Sequence, residues 1–471
     1  MGIVFFIFSV YFLSFMLVEA LVNSCGALLL GASQVNILYL FGLLCTALGY
    51  TLHGFLCYKK IFYAGKSFLF SLISFVTGII FLHTDNRIVF VVAAYLCLLF
   101  LGICGGYAHS MLSGYVNAPK FGFFLGISMA ISIVLQFVVD TLLAENFTKG
   151  TVVTALLLIN SSVAFFYGNR KQIGSEMAKV GKTDLNISEL ILGISLVAVM
   201  SVILGMEDSL MVAKNAAGDV SLFSYVRLFY AVGLVMAGLL ADLCKGKYLG
   251  LCAACSVILS TFAIGILGYD EVSMNVSMAI MYFYCGFYVM FLTYEFVGLA
   301  GKEMPGIITE SVSPVTCPYQ VVGMGRITRC VFTSLTVFVM MLGGENFSYG
   351  IMLGASCILS IMCLAIAFVH LNMSNTVSNE KKDVSFQAKF SSIEKTALFT
   401  KERFDSFANT YQLTNKEREI FEILITTETA TQEIADMFGI SRRGLQRHVA
   451  SIYEKTGTQT RVGLLISFTN M

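Results

Sequence analysis

Twelve apolar runs, most of them about twenty residues long, follow one another through the first 370 residues of this chain, at roughly 3–22, 37–57, 67–84, 88–112, 121–143, 151–168, 188–206, 221–242, 248–268, 274–300, 321–342 and 348–371. About twenty apolar residues make a helix long enough to cross the hydrocarbon of a bilayer. Hydrocarbon offers no hydrogen-bond partner to an exposed peptide group, so each span must satisfy its own backbone. The chain therefore reads as all-α, a polytopic membrane bundle of about twelve spans. Its charged fraction of 13% and mean hydropathy of +0.80 agree, since soluble domains carry roughly a quarter charged residues. The first run lacks a basic leading region and a small-residue cleavage site, so it reads as a first span and not as a removed signal peptide. Cys45, Cys57, Cys97, Cys252 and Cys330 lie inside apolar runs and read as small buried hydrophobes.

Charges fall between the runs, and their signs alternate from side to side. With the N-terminus inside, the inward loops hold Lys59, Lys60, Lys66, Lys120, Arg170, Lys171, Lys179, Lys182, Lys245, Lys247 and Lys302. The outward loops hold Arg87, Lys149 and Lys214, with the acids Asp85, Glu145, Glu207, Asp208, Asp219, Asp270, Glu271 and Glu345. Lys and Arg favour the cytoplasmic side, and an even number of spans returns the C-terminus to that side. The long inward connection 168–187 splits the bundle into two six-helix halves.

The loop after the second span of the second half reads Gly238-Leu-Leu-Ala-Asp242-Leu-Cys-Lys245-Gly246-Lys247. It resembles the GxLaDrxGrk loop of the major facilitator superfamily, at the position that family uses. The resemblance covers the first 370 residues or so. It implies that Asp242 and the neighbouring basic residues clamp helix ends. The matching first-half loop, Gly54-Phe-Leu-Cys-Tyr58-Lys59-Lys60, keeps the Gly and the basic residues and lacks the Asp.

Ionisable groups inside a membrane are costly and mark function by default. Glu19 falls in span one, Gln136 and Asp140 toward the outer end of span five, Asn160 in span six, and Glu295 in span ten. Arg227 falls about a turn and a half into span eight. Arg326 and Arg329 share a face at the start of span eleven and read as anchors at its inner end. In a facilitator-like bundle a ligand sits between the halves near the midplane. Glu19, Gln136, Asn160 and Arg227 are the residues expected to meet one. His53, His83, His109, His370 and His448 stand apart in sequence, and Gly102–Gly106 before His109 reads as a helix-packing stretch.

After His370 the hydrophobicity collapses. The domain reading is a membrane sensor domain over 1–371, a Ser-, Asn- and Lys-rich cytoplasmic linker over 372–399, and a compact module over 400–471. A helix from 399 to 411 carries Phe404 and Phe407 on one face. Thr414 and Glu417 form a capping box ahead of the apolar stripe Ile420, Phe421, Leu424 and Ile425. Thr431 caps a short second helix that turns Ile434, Ala435 and Phe438 inward. Gly439 supplies a left-handed turn residue. Ser441 caps a third helix anchored by Leu445, Val449 and Ile452, which leaves Arg442, Arg443, Gln446 and Arg447 outside. Gly457 ends that helix, and a fourth follows near 461–468.

This order, with Leu413-Thr414, Glu417-Arg418-Glu419, Glu433-Ile434-Ala435, Ile440-Ser441, His448, Ile452-Tyr453, Lys455, Gly457 and Arg461 at fixed spacing, resembles the LuxR/NarL-type helix-turn-helix regulators. Charge is arranged to suit. From 411 to 471 seven basic residues balance seven acids, yet from Ser441 onward five basic residues face one acid, Glu454. One basic face against an acidic back is an electrostatic footprint for double-stranded DNA. The resemblance implies a recognition helix in the major groove, with Arg442, Arg443, Gln446 and Arg447 at bases and phosphates. Thr431, Ser441 and Lys455 are expected nearby as phosphate contacts or caps. It also implies a homodimer on DNA through the fourth helix. Lys416 and Gly444-Leu445-Gln446 depart from the usual pattern, and Gly444 costs helix propensity.

No Walker loop, HExxH or nucleophile elbow occurs, so no catalytic residue, cofactor or metal is expected and a membrane enzyme has no motif behind it. Two functions stay open. The first is a membrane-tethered one-component transcriptional regulator, whose bundle senses a small molecule or a membrane state. The second is a secondary transporter with a regulatory DNA-binding tail. The expected location is a bacterial cytoplasmic membrane, multi-pass, with both termini inside.

Overall fold

A computed structural model describes residues 2–31, 34–59, 64–143, 146–168, 187–217, 225–266, 271–301, 317–343, 349–426 and 431–469. Every regular element among them is helical. The chain divides into two compact units, Met1–Asn375 and Thr376–Met471.

The membrane unit opens with six helices, α1 (Gly2–Leu30), α2 (Val35–Tyr58), α3 (Ala64–His83), α4 (Arg87–Ser113), α5 (Phe121–Leu142) and α6 (Asn146–Gly168). Six more follow, α7 (Ile187–Ala217), α8 (Leu228–Asp242), α9 (Leu249–Ile266), α10 (Glu271–Gly301), α11 (Pro318–Gly343) and α12 (Tyr349–Thr410). Among the described residues nine helical stretches are long and apolar enough to cross a membrane, and the described parts of α3, α6 and α9 supply three shorter apolar ones. Large apolar side chains such as Phe41, Leu48, Phe124, Phe262, Phe338 and Phe368 are exposed. Water would penalise that surface, whereas lipid tails accept it at no cost.

Packing repeats between the halves. α2 lies along α11 and α5 along α8, so the second helix of each half meets the fifth of the other. Inside each half the second helix meets the fourth, α2 with α4 and α8 with α10. Glycine permits both of these approaches. A Cβ on Gly49 would collide with the Leu99 carbonyl beside Gly102, and one on Gly233 with the Phe283 carbonyl beside Gly286. With lipid as solvent the hydrophobic drive between helices is weak, and close backbone contact replaces it. Gly102, inside the glycine stretch before His109, serves packing as its sequence suggests.

Several charges lie elsewhere than their sequence neighbours imply. Glu207 and Asp208, expected in an outward loop, belong to α7, and Glu207 is buried with Ser260 donating to its Oε1. Hydropathy ends the span at the first charge, but the helix continues because a partner helix receives that charge. Arg227 lies in the 3-10 turn Tyr225–Arg227 just before α8, not a turn and a half inside it. Arg326 and Arg329 do not anchor an inner end: Arg326 is buried over the Phe12 ring at 5.3 Å, and Arg329 faces a cavity. The histidines are less isolated than expected, since His370 Nε2 meets Glu295 Oε1 at 3.1 Å and His109 Nδ1 meets Gly105 O at 2.7 Å. Cys252 and Cys255 sit at CxxC spacing in α9, yet among the described residues no group of three metal-ligating side chains forms. Lys60, Arg170, Lys171, Lys179, Lys182, Lys302, Glu145, Asp219, Asp270 and Glu345 lie outside the described residues.

The second unit takes the end of α12 and four short helices, α13 (Asn415–Thr426), α14 (Thr431–Met437), α15 (Arg442–Thr456) and α16 (Arg461–Thr469). Its own core gathers Phe407, Leu413, Ile420, Phe421, Leu424, Ile434, Ala435, Leu445, Ile452, Leu464 and Phe468. Phe407 stacks on Phe421 with ring centroids 5.0 Å apart and meets Phe468 edge-on at 5.5 Å. The segment 372–399 falls within α12; of its side chains, those of 374–399 lie outside the described residues.

Candidate functional site

Asp242 ends α8, and its carboxylate accepts from the first backbone N–H groups of α5, Gly122 N to Oδ1 at 2.7 Å and Phe123 N to Oδ2 at 2.8 Å. These donors have no partner inside their own helix, and the carboxylate also meets the positive end of the α5 dipole. Asp242 thus clamps the start of α5, as the resemblance implied for it, and ties the first half to the second; Lys247 lies over the Tyr248 ring at 5.2 Å, and the Lys245 side chain is outside the described residues. A cavity of about 410 Å³ opens beside it, lined by Lys120, Lys247, Glu189, Glu295 and His370. Two of its acids are already committed, Asp242 to α5 and Glu295 to His370.

At the other end of α8, Arg227 enters a second cavity of about 140 Å³. Both halves build it. α1 contributes Glu19 and Asn23, α2 Tyr39, α5 Gln136, α7 Asp208, α8 Tyr230, α10 Tyr282 and Cys285, and α11 Arg329. Arg227 donates from Nη2 to Gln136 Oε1 at 2.9 Å, and its guanidinium lies 5.5 Å from the Tyr282 ring centre. Asp208 Oδ2 accepts from Tyr39 Oη at 3.1 Å. Of the four residues expected to meet a ligand, the structure gathers Glu19, Gln136 and Arg227 here. Asn160 stands apart, donating to Ser14 Oγ at 2.8 Å and lining a small cleft with Tyr11, Ser71 and Cys104. Asp208 and Arg329 complete the charge of the cavity, and sequence reasoning missed both. Asp208 lies just past the end of an apolar run and Arg329 inside one, and burial by distant helices leaves no local mark on either.

In the C-terminal unit local chemistry builds the expected shape. Thr414 and Glu417 close their capping box, with Thr414 N donating to Glu417 Oε2 at 2.8 Å and Glu417 N to Thr414 Oγ1 at 3.4 Å. Gly439 (φ +61°) makes the turn, Ser441 Oγ accepts from Gly444 N at 3.1 Å, and Gly457 (φ +65°) ends α15. Leu445 and Ile452 point into the core, so Arg442, Arg443, Gln446 and Arg447 are all exposed. Thr431 opens α14 with its side chain exposed.

Lys455 has a partner already. Its Nζ donates to Glu417 Oε2 at 2.6 Å and to Gln412 O at 3.2 Å, which ties α15 to the capping box of α13. Ser451 Oγ also donates to Glu417, at 2.7 Å. Burial alone would raise the Glu417 carboxyl, but these hydrogen bonds from Lys455, Ser451 and Thr414 outweigh it and hold the group at about 2. Arg461 is structural too: Nε donates to Leu424 O at 2.7 Å, satisfying a last-turn carbonyl of α13.

Comparison with known proteins follows this division. Residues 411–468 match the model of the bacterial regulatory proteins of the luxR family. The fold is similar to the human organic anion transporter MFSD10 (TETRAN), with a TM-score of 0.56 and 11% identity over 77% of this chain and 98% of that one. It is also similar to the proton:xylose symporter XylE, a major facilitator superfamily protein, with a TM-score of 0.58 and 12% identity over 78% and 94%. No curated protein matches the chain in sequence. The chain joins a multi-span bundle of the major facilitator fold to a LuxR-family helix-turn-helix domain at residues 411–468.

Proposed function

We propose that this protein is a membrane-tethered one-component transcriptional regulator. A small molecule or a membrane state biases the bundle, and the bias changes sequence-specific DNA binding by the C-terminal domain. The observation that carries this reading is the fully formed LuxR-type domain with Arg442, Arg443, Gln446 and Arg447 exposed on one helix. Arg442, Arg443 and Arg447 pair with phosphates or guanines, and Gln446 suits an adenine edge. Thr431 assists at a phosphate, Ser441 orients the helix as its cap, and Lys455 reaches DNA only by sharing its proton donors with Glu417. The sensing site is the charged cavity of Glu19, Gln136, Arg227, Asp208 and Arg329.

Location follows from chemistry. DNA lies in the cytoplasm, and Lys59, Lys120 and Lys247 mark the α2, α5 and α9 ends that belong there. The protein then spans a bacterial cytoplasmic membrane with both termini inside. Exposed Val462, Leu465 and Ile466 on α16 form the face through which two domains pair on DNA.

Chromosomal occupancy of the tagged full-length protein tests the reading. Discrete sites should be occupied and should vanish in an Arg443→Ala/Arg447→Ala variant present at equal membrane level. Equal occupancy in both, or none in either across growth conditions, would remove the regulator reading. One observation favours a second reading: the cavity lies between the two halves of a transport fold. Ligand-dependent flux in proteoliposomes would establish a transporter with a regulatory tail.

A further inference from the structure

The sensing cavity brings two carboxylates and two guanidiniums together. Glu19 and Asp208 come from α1 and α7, and Arg227 and Arg329 from the start of α8 and from α11. The remaining polar lining is uncharged, chiefly Tyr39 on α2, Gln136 on α5 and Tyr282 on α10. Arg326, one turn from Arg329, is buried over Phe12. Lys149 is held by Asp140 at 3.3 Å. Glu207 receives Ser260. The formal charge on the cavity wall therefore sums to zero.

Several of these charges are held in place by a neighbour. Gln136 and Tyr282 fix Arg227, and Tyr39 fixes Asp208. Arg329 Nε is shielded from solvent and has no hydrogen-bond partner among the described residues. Its guanidinium group nonetheless lines the cavity, and a ligand carboxylate there would offset the cost of holding that charge away from water. A singly charged ligand would leave one sign unbalanced in a low-dielectric site, which is expensive. A neutral ligand would leave the Arg329 donor facing a weak acceptor. We propose that the cavity binds a small zwitterion of the amino-acid class, its carboxylate toward Arg227 and Arg329 and its ammonium toward Glu19 and Asp208. The volume of about 140 Å³ equals the share of about five waters at roughly 30 Å³ each, so the solute is small. The ligand class rests on the reading of this cavity as the sensing site.

Purified full-length protein in detergent is melted with a thiol-reactive dye, which reports the buried cysteines as they become accessible. The probes are glycine, alanine, glutamine and γ-aminobutyrate, beside butyrate, butylamine and glucose as single-charge and neutral controls. At least one amino acid should raise the melting midpoint, with each control more than tenfold weaker in the concentration required. Arg329→Gln should abolish the shift. Tyr39→Phe, which removes one hydroxyl and keeps the fold, should weaken it several-fold. Equal stabilisation by butyrate, butylamine or glucose would overturn the zwitterion, as would no shift with any amino acid. Chromosomal occupancy with the same probes separates the two ideas. A bound amino acid that leaves occupancy unchanged defeats the sensor reading alone. Occupancy that follows butyrate or glucose defeats the ligand class alone.

Discussion

Glu417 concentrates much of the C-terminal unit in one carboxylate. It closes the capping box of α13 and accepts from Ser451 and Lys455 of α15. Its folded pKa of about 2 lies below its ordinary value of 4.5. The ionised form therefore contributes its full stability above about pH 4.5, and that contribution disappears as the pH falls from about 4.5 toward 2. Chemical denaturation of a 400–471 fragment, which carries its own core, should show this acid loss, and Glu417→Gln should flatten it. At pH 7 the same change should cost about 1–3 kcal/mol, since hydrogen bonds to a charged acceptor are lost. Gly444 offers the opposite case. An added Cβ would meet Ser441 Oγ at 3.4 Å, ordinary contact. Gly444→Ala should stabilise the fragment by about 0.5–1 kcal/mol through helix propensity. An unchanged denaturation midpoint would show that the capped first turn already absorbs the cost of glycine.

At the scale of elements, the bundle relies on backbone contact at a few glycines. Gly49 and Gly102 join α2 to α4, and Gly233 and Gly286 join α8 to α10. Gly49→Val and Gly233→Val should each lower the yield of monodisperse protein and its Tm in detergent. Gly298→Ala, where an added Cβ meets nothing within 4 Å, should behave as the parent. Asp242 links α8 to α5 by capping two backbone donors. Asp242→Ala should cost about 1 kcal/mol for the lost cap, read as a lower Tm, and Asp242→Asn should recover part of it through its remaining oxygen. The first half has no such acid: the chain there reads Tyr58-Lys59-Lys60, so two interfaces between the halves, α5 with α8 and α2 with α11, are held by different chemistry. At the second of them a Cβ on Gly54 would strike the Gln320 side chain.

Over the whole molecule, two units of different solvent preference share one chain. If α16 pairs two C-terminal domains on DNA, Leu465→Lys/Ile466→Lys should reduce chromosomal occupancy while leaving the level of protein in the membrane unchanged. The sequence by itself determined whatever depends on near neighbours. Run length determined twelve apolar helices, and lysine distribution sets the inside–outside alternation expected of them. Capping residues and glycines at Thr414, Gly439, Ser441 and Gly457 gave the helix-turn-helix domain, because turns, caps and helical faces are decided within a few residues. Only the tertiary structure decided which polar groups in the bundle meet. Asp208 and Glu207 read as loop, Arg329 as an anchor and Asn160 as a ligand contact. The pairing of α1, α2 and α5 with α7, α8, α10 and α11 put Asp208 and Arg329 in the cavity and Asn160 outside it. Asp208 and Arg227 are held by partners 169 and 91 residues away in the chain, and no local pattern records them.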